Sequence, residues 1–92
     1  QGLIDAVTDA EILEAYRMLG RLEGIFCEPA SAASVAGILK LARAGKLEGT
    51  ERIVCVLTGN GLKDPDTAMK GIDQAPEVVD ATEADVLKAM GF

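Results

Sequence analysis

Histidine is absent from this chain, and cysteine occurs twice. Two thiols with no imidazole do not complete a zinc site by themselves. Aromatic residues make up 3%, so small and branched aliphatic side chains must build whatever core forms. Basic residues are outnumbered, nine against fifteen acids, for a net charge of −6. An acidic chain without a basic stripe is a poor partner for nucleic acid, and the same balance argues against anionic membrane surfaces. No apolar run approaches the roughly 20 residues that span a bilayer. No charged-then-apolar leader is visible, and the two cysteines lie in apolar runs as buried free thiols would. A reducing, cytoplasmic setting is therefore expected.

Ninety-two residues bound the chain to a single domain, 1–92. A domain of this size buries roughly 60–65% of the surface its unfolded chain exposes. Hydrophobic residues make up 49%, a globular rather than a disordered composition. The chain opens on Gln1 with a helix following quickly, and is read as a cut segment. It carries no internal repeat and no low-complexity tract.

Local signals divide the chain. Thr8 with Glu11 three residues later forms a capping-box pattern, and Ile12, Leu13, Tyr16, Leu19 and Leu22 recur at helical spacing. The spacing predicts a helix over about Asp9–Arg21, with Tyr16 at the edge of the core rather than in a catalytic role. Gly24 breaks it. Gly24–Glu28 is a short apolar run read as a strand. Pro29 then opens a helix of small residues, Ala30 to Gly37, extended by Ile38, Leu39 and Leu41 and stopped at Gly45. It is apolar on nearly all sides and is expected to be buried. Ile53–Leu57 is β-branched and apolar, a second strand ending at Thr58, followed by a turn-forming cluster, Gly59-Asn60-Gly61. Asp64-Pro65 starts a short helix to about Lys70. Gly71–Pro76 reads as a loop, 77–80 as a candidate edge strand, and Thr82 as the cap of a last helix with Val86, Leu87 and Met90 on its apolar face. The acids from Asp73 to Asp85 read as solvated surface.

The expected fold is α/β: a small sheet with a parallel βαβ core, strands at about 24–28 and 53–58, a candidate edge strand at 77–80, and about four helices. A parallel arrangement brings the ends of both strands to one edge, where ligands bind in open α/β sheets. Glu28 and Thr58 would meet there, beside the glycine loop and a helix N-terminus that favours anions. Bland readings stand beside this one. Glu28 before Pro29 also suits a helix N-terminus, and Thr58 also suits an ordinary strand position. The loop is not a Walker loop, because Gly-Lys-Ser/Thr is missing, nor a dinucleotide fingerprint, because the third glycine is missing. Lys63, next to Asp64, reads as a solvated lysine rather than a Schiff-base lysine.

Two stretches carry a resemblance: Gly24-Ile25-Phe26-Cys27-Glu28-Pro29-Ala30-Ser31-Ala32-Ala33-Ser34 and Val54-Cys55-Val56-Leu57-Thr58-Gly59-Asn60-Gly61-Leu62-Lys63-Asp64-Pro65-Asp66. In order and separation they closely resemble the C-terminal part of the threonine synthase family, pyridoxal-phosphate (PLP) enzymes of the tryptophan synthase β-subunit fold. The likeness runs from about Val7 to Lys70. It implies a fragment of a larger PLP-enzyme domain, with Thr58 opposite the pyridine nitrogen of the cofactor and Glu28 close to the same cofactor. Gly59 and Asn60 would shape the loop beside the ring. A neutral hydroxyl at the pyridine nitrogen makes a weaker electron sink than an aspartate would, which suits elimination and replacement chemistry. The resemblance implies conversion of O-phospho-L-homoserine and water to L-threonine and phosphate. The family's Schiff-base lysine and phosphate loop have no match in these residues. The chain alone is therefore expected to hold no catalytic residue, to bind no PLP and to be inactive. Expected partners are the small-molecule substrate of the full-length enzyme and either the remainder of that enzyme or a second copy. A threonine or serine dehydratase-like PLP lyase and a non-enzymatic α/β regulatory or interaction module are the alternatives.

Overall fold

A computed structural model describes residues 2–71 and 76–92. The first helix, α1 (Asp9–Met18), begins where the sequence places a capping box. The Thr8 hydroxyl accepts from the Glu11 amide at 3.2 Å, and the Glu11 carboxylate accepts from the Thr8 amide at 2.7 Å. Two otherwise orphaned N–H groups are satisfied reciprocally. The helical path widens into a π-type turn over Leu19–Glu23 and closes at Gly24, whose φ of 67° suits a residue without a Cβ.

Pro29 opens a 3-10 turn, Pro29–Ala32, which passes into α2 (Ala33–Arg43). Proline fits this first turn because the amide it lacks would have had no helical partner. The far end is a Schellman motif: Lys46 N–H donates to Leu41 O and Gly45 N–H to Ala42 O, both at 3.0 Å, with Gly45 at φ 67°. A 3-10 turn, Gly61–Lys63, leads into α3 (Pro65–Lys70), capped by Asp64. The last helix, α4 (Glu83–Ala89), is capped by Thr82 and closed by a second Schellman motif at Gly91.

The helices α1 and α2 pack on each other through small residues. Ala15, Cys27, Ala32 and Ala36 are buried, and Val7, Ile12, Tyr16, Leu19, Val35, Leu39 and Leu57 surround them in part. Alanine on both faces lets two helix backbones approach closely. The charged pair Arg43–Glu14, at 2.6 and 3.0 Å, joins the last residue of α2 to the middle of α1. Lys40 reaches back to the Asp5 carboxylate and to Ala6 O.

The expected parallel sheet is not formed. Among the described residues there is no strand, and the 24–28 segment is bridged instead to the loop past residue 58, at an isolated antiparallel pair of Cys27 and Asn60. Residues 53–58 form no regular element, and residues 77–80 are irregular and exposed. The reason is physical: β-branched apolar composition favours an extended backbone, whereas pairing depends on a partner distant in sequence. The expectation that α2 is buried also fails, since only Ala36 of that helix is buried. Val54 is 86% and Val56 67% exposed, so nothing among the described residues covers the face on which they lie. The radius of gyration is 17.6 Å, against about 12 Å for a compact chain of this length. Glu77, Asp80, Glu83 and Asp85 are exposed, as expected for solvated acids. Asp73 and most of the loop expected over Gly71–Pro76 lie outside the described residues.

Candidate functional site

The antiparallel bridge does what parallel strands were expected to do. Glu28 N–H donates to Gly59 O at 2.9 Å, and Gly61 N–H donates to Phe26 O at 3.1 Å. These two bonds hold the glycine loop against the segment that ends in Glu28. Thr58, Gly59 and Asn60 therefore arrive beside Glu28 and the first turn of the small-residue helix. The four residues singled out in the sequence lie on one rim, although the chain directions that bring them there are opposite to the expected ones.

Ser31 joins this rim, and sequence reasoning passed over it. Its amide donates to Glu28 O at 2.9 Å. Its hydroxyl oxygen accepts from the Gly59 amide at 2.7 Å and lies 3.2 Å from the Thr58 hydroxyl. Ser31 is 6% exposed, whereas Thr58 and Asn60 are open to solvent. The signal was present in the sequence: a hydroxyl three residues beyond Glu28, in a turn otherwise built of Pro29, Ala30 and Ala32. It read as one small residue among several. Ser34, behind the rim, places its hydroxyl 3.3 Å from Ser31 O and 3.4 Å from Val56 O, with one proton to serve them.

The glycines are required by close approach. A Cβ on Gly59 would stand 2.0 Å from a Glu28 carboxylate oxygen, 2.9 Å from Glu28 Cβ and 3.0 Å from Ser31 Oγ. The Glu28 side chain thus lies directly over Gly59, the residue that follows Thr58. A Cβ on Gly61 would meet the Phe26 ring at 2.4 Å. Asn60 has an extended backbone, and its side-chain oxygen accepts from the Leu62 amide at 2.9 Å, capping the 3-10 turn. That bond fixes the loop's exit.

The other reactive side chains separate from the rim. Cys27 is buried in the core, and burial pushes its thiol pKa up. Both cysteines are free. Tyr16 lies half-buried at the core edge, as expected, and desolvation raises its pKa, with smaller contributions from Cys27 and Asp64. Lys63 is exposed. Among the described residues no group of three or more His, Cys, Asp or Glu is placed to hold a metal, and no helix is long and apolar enough to cross a membrane. A hollow of about 510 Å³ between α1, Pro29 and α3, lined in part by Asp9, Ile12, Arg17 and Lys70, contains none of Glu28, Ser31, Thr58, Gly59 or Asn60. It plays no part in the rim.

A rim of this kind holds two hydroxyls, one of them buried behind the other, a carboxylate and a glycine backbone. It can donate a hydrogen bond from a neutral group and place an acid nearby. Residues 1–59 match the family described as pyridoxal-phosphate dependent enzyme. The chain is 56% identical over 78 residues to a threonine synthase of Halalkalibacterium halodurans, covering 85% of this chain and 22% of that protein. It is 54% identical over 94 residues to a threonine synthase of Synechocystis sp., covering 99% and 24%. Against a threonine synthase of Methanocaldococcus jannaschii it is 55% identical over 73 residues, covering 79% and 18%. The chain thus spans about a fifth to a quarter of the length of these curated relatives.

Proposed function

The chain belongs to the pyridoxal-phosphate dependent enzymes, and we propose that it forms one rim of the active site of a threonine synthase. The whole enzyme would convert O-phospho-L-homoserine and water to L-threonine and phosphate. PLP, when bound, would supply an electron sink for negative charge that develops at the substrate's amino-bearing carbon. The single observation that carries the substrate class is identity of 54–56% to two threonine synthases over most of this chain.

The rim fits the pyridine side of that cofactor on its own chemistry. Thr58 presents a neutral, solvent-open hydroxyl, and Ser31 stands 3.2 Å behind it. A hydroxyl can donate to a ring nitrogen without supplying the negative charge that would hold that nitrogen protonated. Gly59, with no side chain of its own, leaves the space beside Thr58 to the Glu28 carboxylate. We assign Thr58, Glu28, Gly59 and Asn60 as the cofactor-binding residues of this chain. With PLP bound, Thr58 would face the ring nitrogen, Glu28 would lie close to the cofactor, and Gly59 and Asn60 would shape the loop beside it. The chain contributes this rim as a single domain-sized segment, and chemistry that needs a Schiff-base lysine belongs to the remainder of the enzyme. The exposed apolar residues Val54 and Val56 are where that remainder, or a second copy, covers the chain. Two free thiols support a reducing, cytoplasmic setting.

The test uses the full-length enzyme. Phosphate and threonine should appear in equal amounts from O-phospho-L-homoserine. Ammonia release from threonine, with no phosphate release from phosphohomoserine, would replace this reading with a dehydratase.

A further inference from the structure

We propose that Ser31 is a positioning residue that sets the direction of the Thr58 hydroxyl toward the cofactor. The inference rests on the assignment of Thr58 above and concerns a residue on which neither the family match nor the relatives bear individually.

Proton accounting at two hydroxyls carries it. The Gly59 amide donates to Ser31 Oγ at 2.7 Å, short and well formed, so one lone pair of that oxygen is committed. Ser31 is 6% exposed, and a buried hydroxyl proton needs an acceptor. The partner within reach is Thr58 Oγ1, at 3.2 Å. Were Thr58 the donor across that contact, Ser31 would accept twice and its own proton would be left buried without a partner. The direction that satisfies every group runs from Gly59 N–H to Ser31 Oγ, and from Ser31 O–H to Thr58 Oγ1. The Thr58 proton is then released from the protein side and points outward, where Thr58 is open. Each donor in such a chain polarises the next. Ser31 thereby makes Thr58 a donor by construction, matched to a ring nitrogen that carries a lone pair rather than a proton.

The backbone supports this role. Ser31 sits in the Pro29–Ala32 turn, anchored by its own amide on Glu28 O, and Gly59 is tied to Glu28 N–H through its carbonyl. The relay is therefore held at both ends by main-chain bonds, and Ser31 does not have to reach the cofactor.

The experiment uses the full-length enzyme loaded with PLP labelled with 15N in the ring. Two readings are taken: the 15N shift of the ring nitrogen, and the PLP dissociation constant of the reconstituted apoenzyme. Thr58→Val tests the assignment on which the inference rests. It should move the nitrogen signal downfield, toward that of a pyridine with no hydrogen-bond partner, and weaken PLP binding. Ser31→Ala should move the signal the same way by a smaller amount and weaken PLP about threefold to tenfold, the range of one hydrogen bond. Ser31→Thr, which keeps the hydroxyl, should restore both readings. In a Thr58→Val background Ser31→Ala should have no further effect on the nitrogen. If Thr58→Val moves the signal and Ser31→Ala does not, Ser31 is only a structural residue and the inference falls alone. If Thr58→Val leaves the signal unmoved, the cofactor assignment fails and takes the inference with it. Should the Ser31 variants fail to fold, the wild-type enzyme decides. The Gly59 amide proton, followed with 15N-glycine, should shift downfield on PLP loading as the relay tightens, and an unchanged shift overturns the proposal.

Discussion

Replacing Gly59 with alanine tests the close approach that holds the rim together. The backbone at Gly59 has no positive φ, so alanine meets no conformational penalty there, and any cost is steric. The new methyl would stand 2.0 Å from a Glu28 carboxylate oxygen, which is the far end of a flexible side chain and swings away. It would also stand 2.9 Å from Glu28 Cβ, which cannot leave without its backbone, and 3.0 Å from Ser31 Oγ, which can turn away only by giving up its bond from Gly59 N–H. Carbon atoms prefer about 3.5–4.0 Å, so the loop must retreat by about half an ångström. That movement stretches Glu28 N–H to Gly59 O and Gly59 N–H to Ser31 Oγ, now 2.9 and 2.7 Å. Overpacking costs about 1–3 kcal/mol, and a weakened hydrogen bond about 0.5–1.5 kcal/mol. Since the two are not additive, a loss of about 2 kcal/mol is expected. Gly37 is the internal control. It lies inside α2 with nothing within 4 Å of a built Cβ, so Gly37→Ala should stabilise the chain by about 0.5–1 kcal/mol. Urea unfolding of the 92-residue chain, followed by far-ultraviolet circular dichroism, reads both. With a urea dependence of about 1–2 kcal/mol per molar, the Gly59→Ala midpoint should fall by about 1–2 M or lose its folded baseline, while the Gly37→Ala midpoint rises. A Gly59→Ala midpoint equal to or above wild type would refute the packing of Glu28 over this loop.

Asp64 caps α3 by accepting from the Thr67 hydroxyl at 2.7 Å and the Thr67 amide at 3.1 Å, which together hold its pKa below the usual 3.8. A depressed carboxylate stabilises above its unfolded pKa and loses that contribution as pH falls through the folded one, so the Thr67 amide resonance should titrate with a midpoint below 3.8; a midpoint at or above that value contradicts the cap. Cys27 is buried with its thiol pKa raised and Cys55 is half-buried, so iodoacetamide should label Cys55 first, and mass spectrometry showing the reverse order would place Cys27 outside the core. Val54 and Val56 are 86% and 67% exposed, so the isolated chain should self-associate and Val54→Lys with Val56→Lys should reduce that association in sedimentation velocity; a wild-type monomer at millimolar concentration would count against it.

The features legible in the sequence are those whose energetics are local. Thr8 with Glu11, Asp64 before Pro65, Thr82 ahead of Asp85, and Gly45 past the end of α2 each satisfy backbone groups within a few residues. Residue types at short spacing are enough to find them. The strands required more than that. Ile53–Leu57 has the composition of a strand, yet with no paired partner among the described residues it forms none. The burial of α2 failed for the same reason: an apolar helix is buried only where something lies on each of its faces, and here Ala36 alone is fully buried while Val35 and Leu39 are covered in part.

The rim survived the loss of the sheet that had been its premise. Glu28 and Thr58 were expected to meet because two strands ran the same way. They meet instead through the Cys27–Asn60 bridge, in which the segments run in opposite directions. What the two arrangements share is the tight junction at each segment's end. Pro29 turns the chain immediately after Glu28, and Gly59 lets the loop come within hydrogen-bond reach of that turn. The decisive elements are therefore a proline that forces a turn and a glycine that leaves room, both local. Ser31 follows from the same geometry: the turn that brings Glu28 to Gly59 also seats a hydroxyl between Gly59 and Thr58. Its importance lies in being buried and shared between two segments 28 residues apart. No spacing rule along one segment registers a bond of that kind, so Ser31 emerged only once both segments were placed side by side.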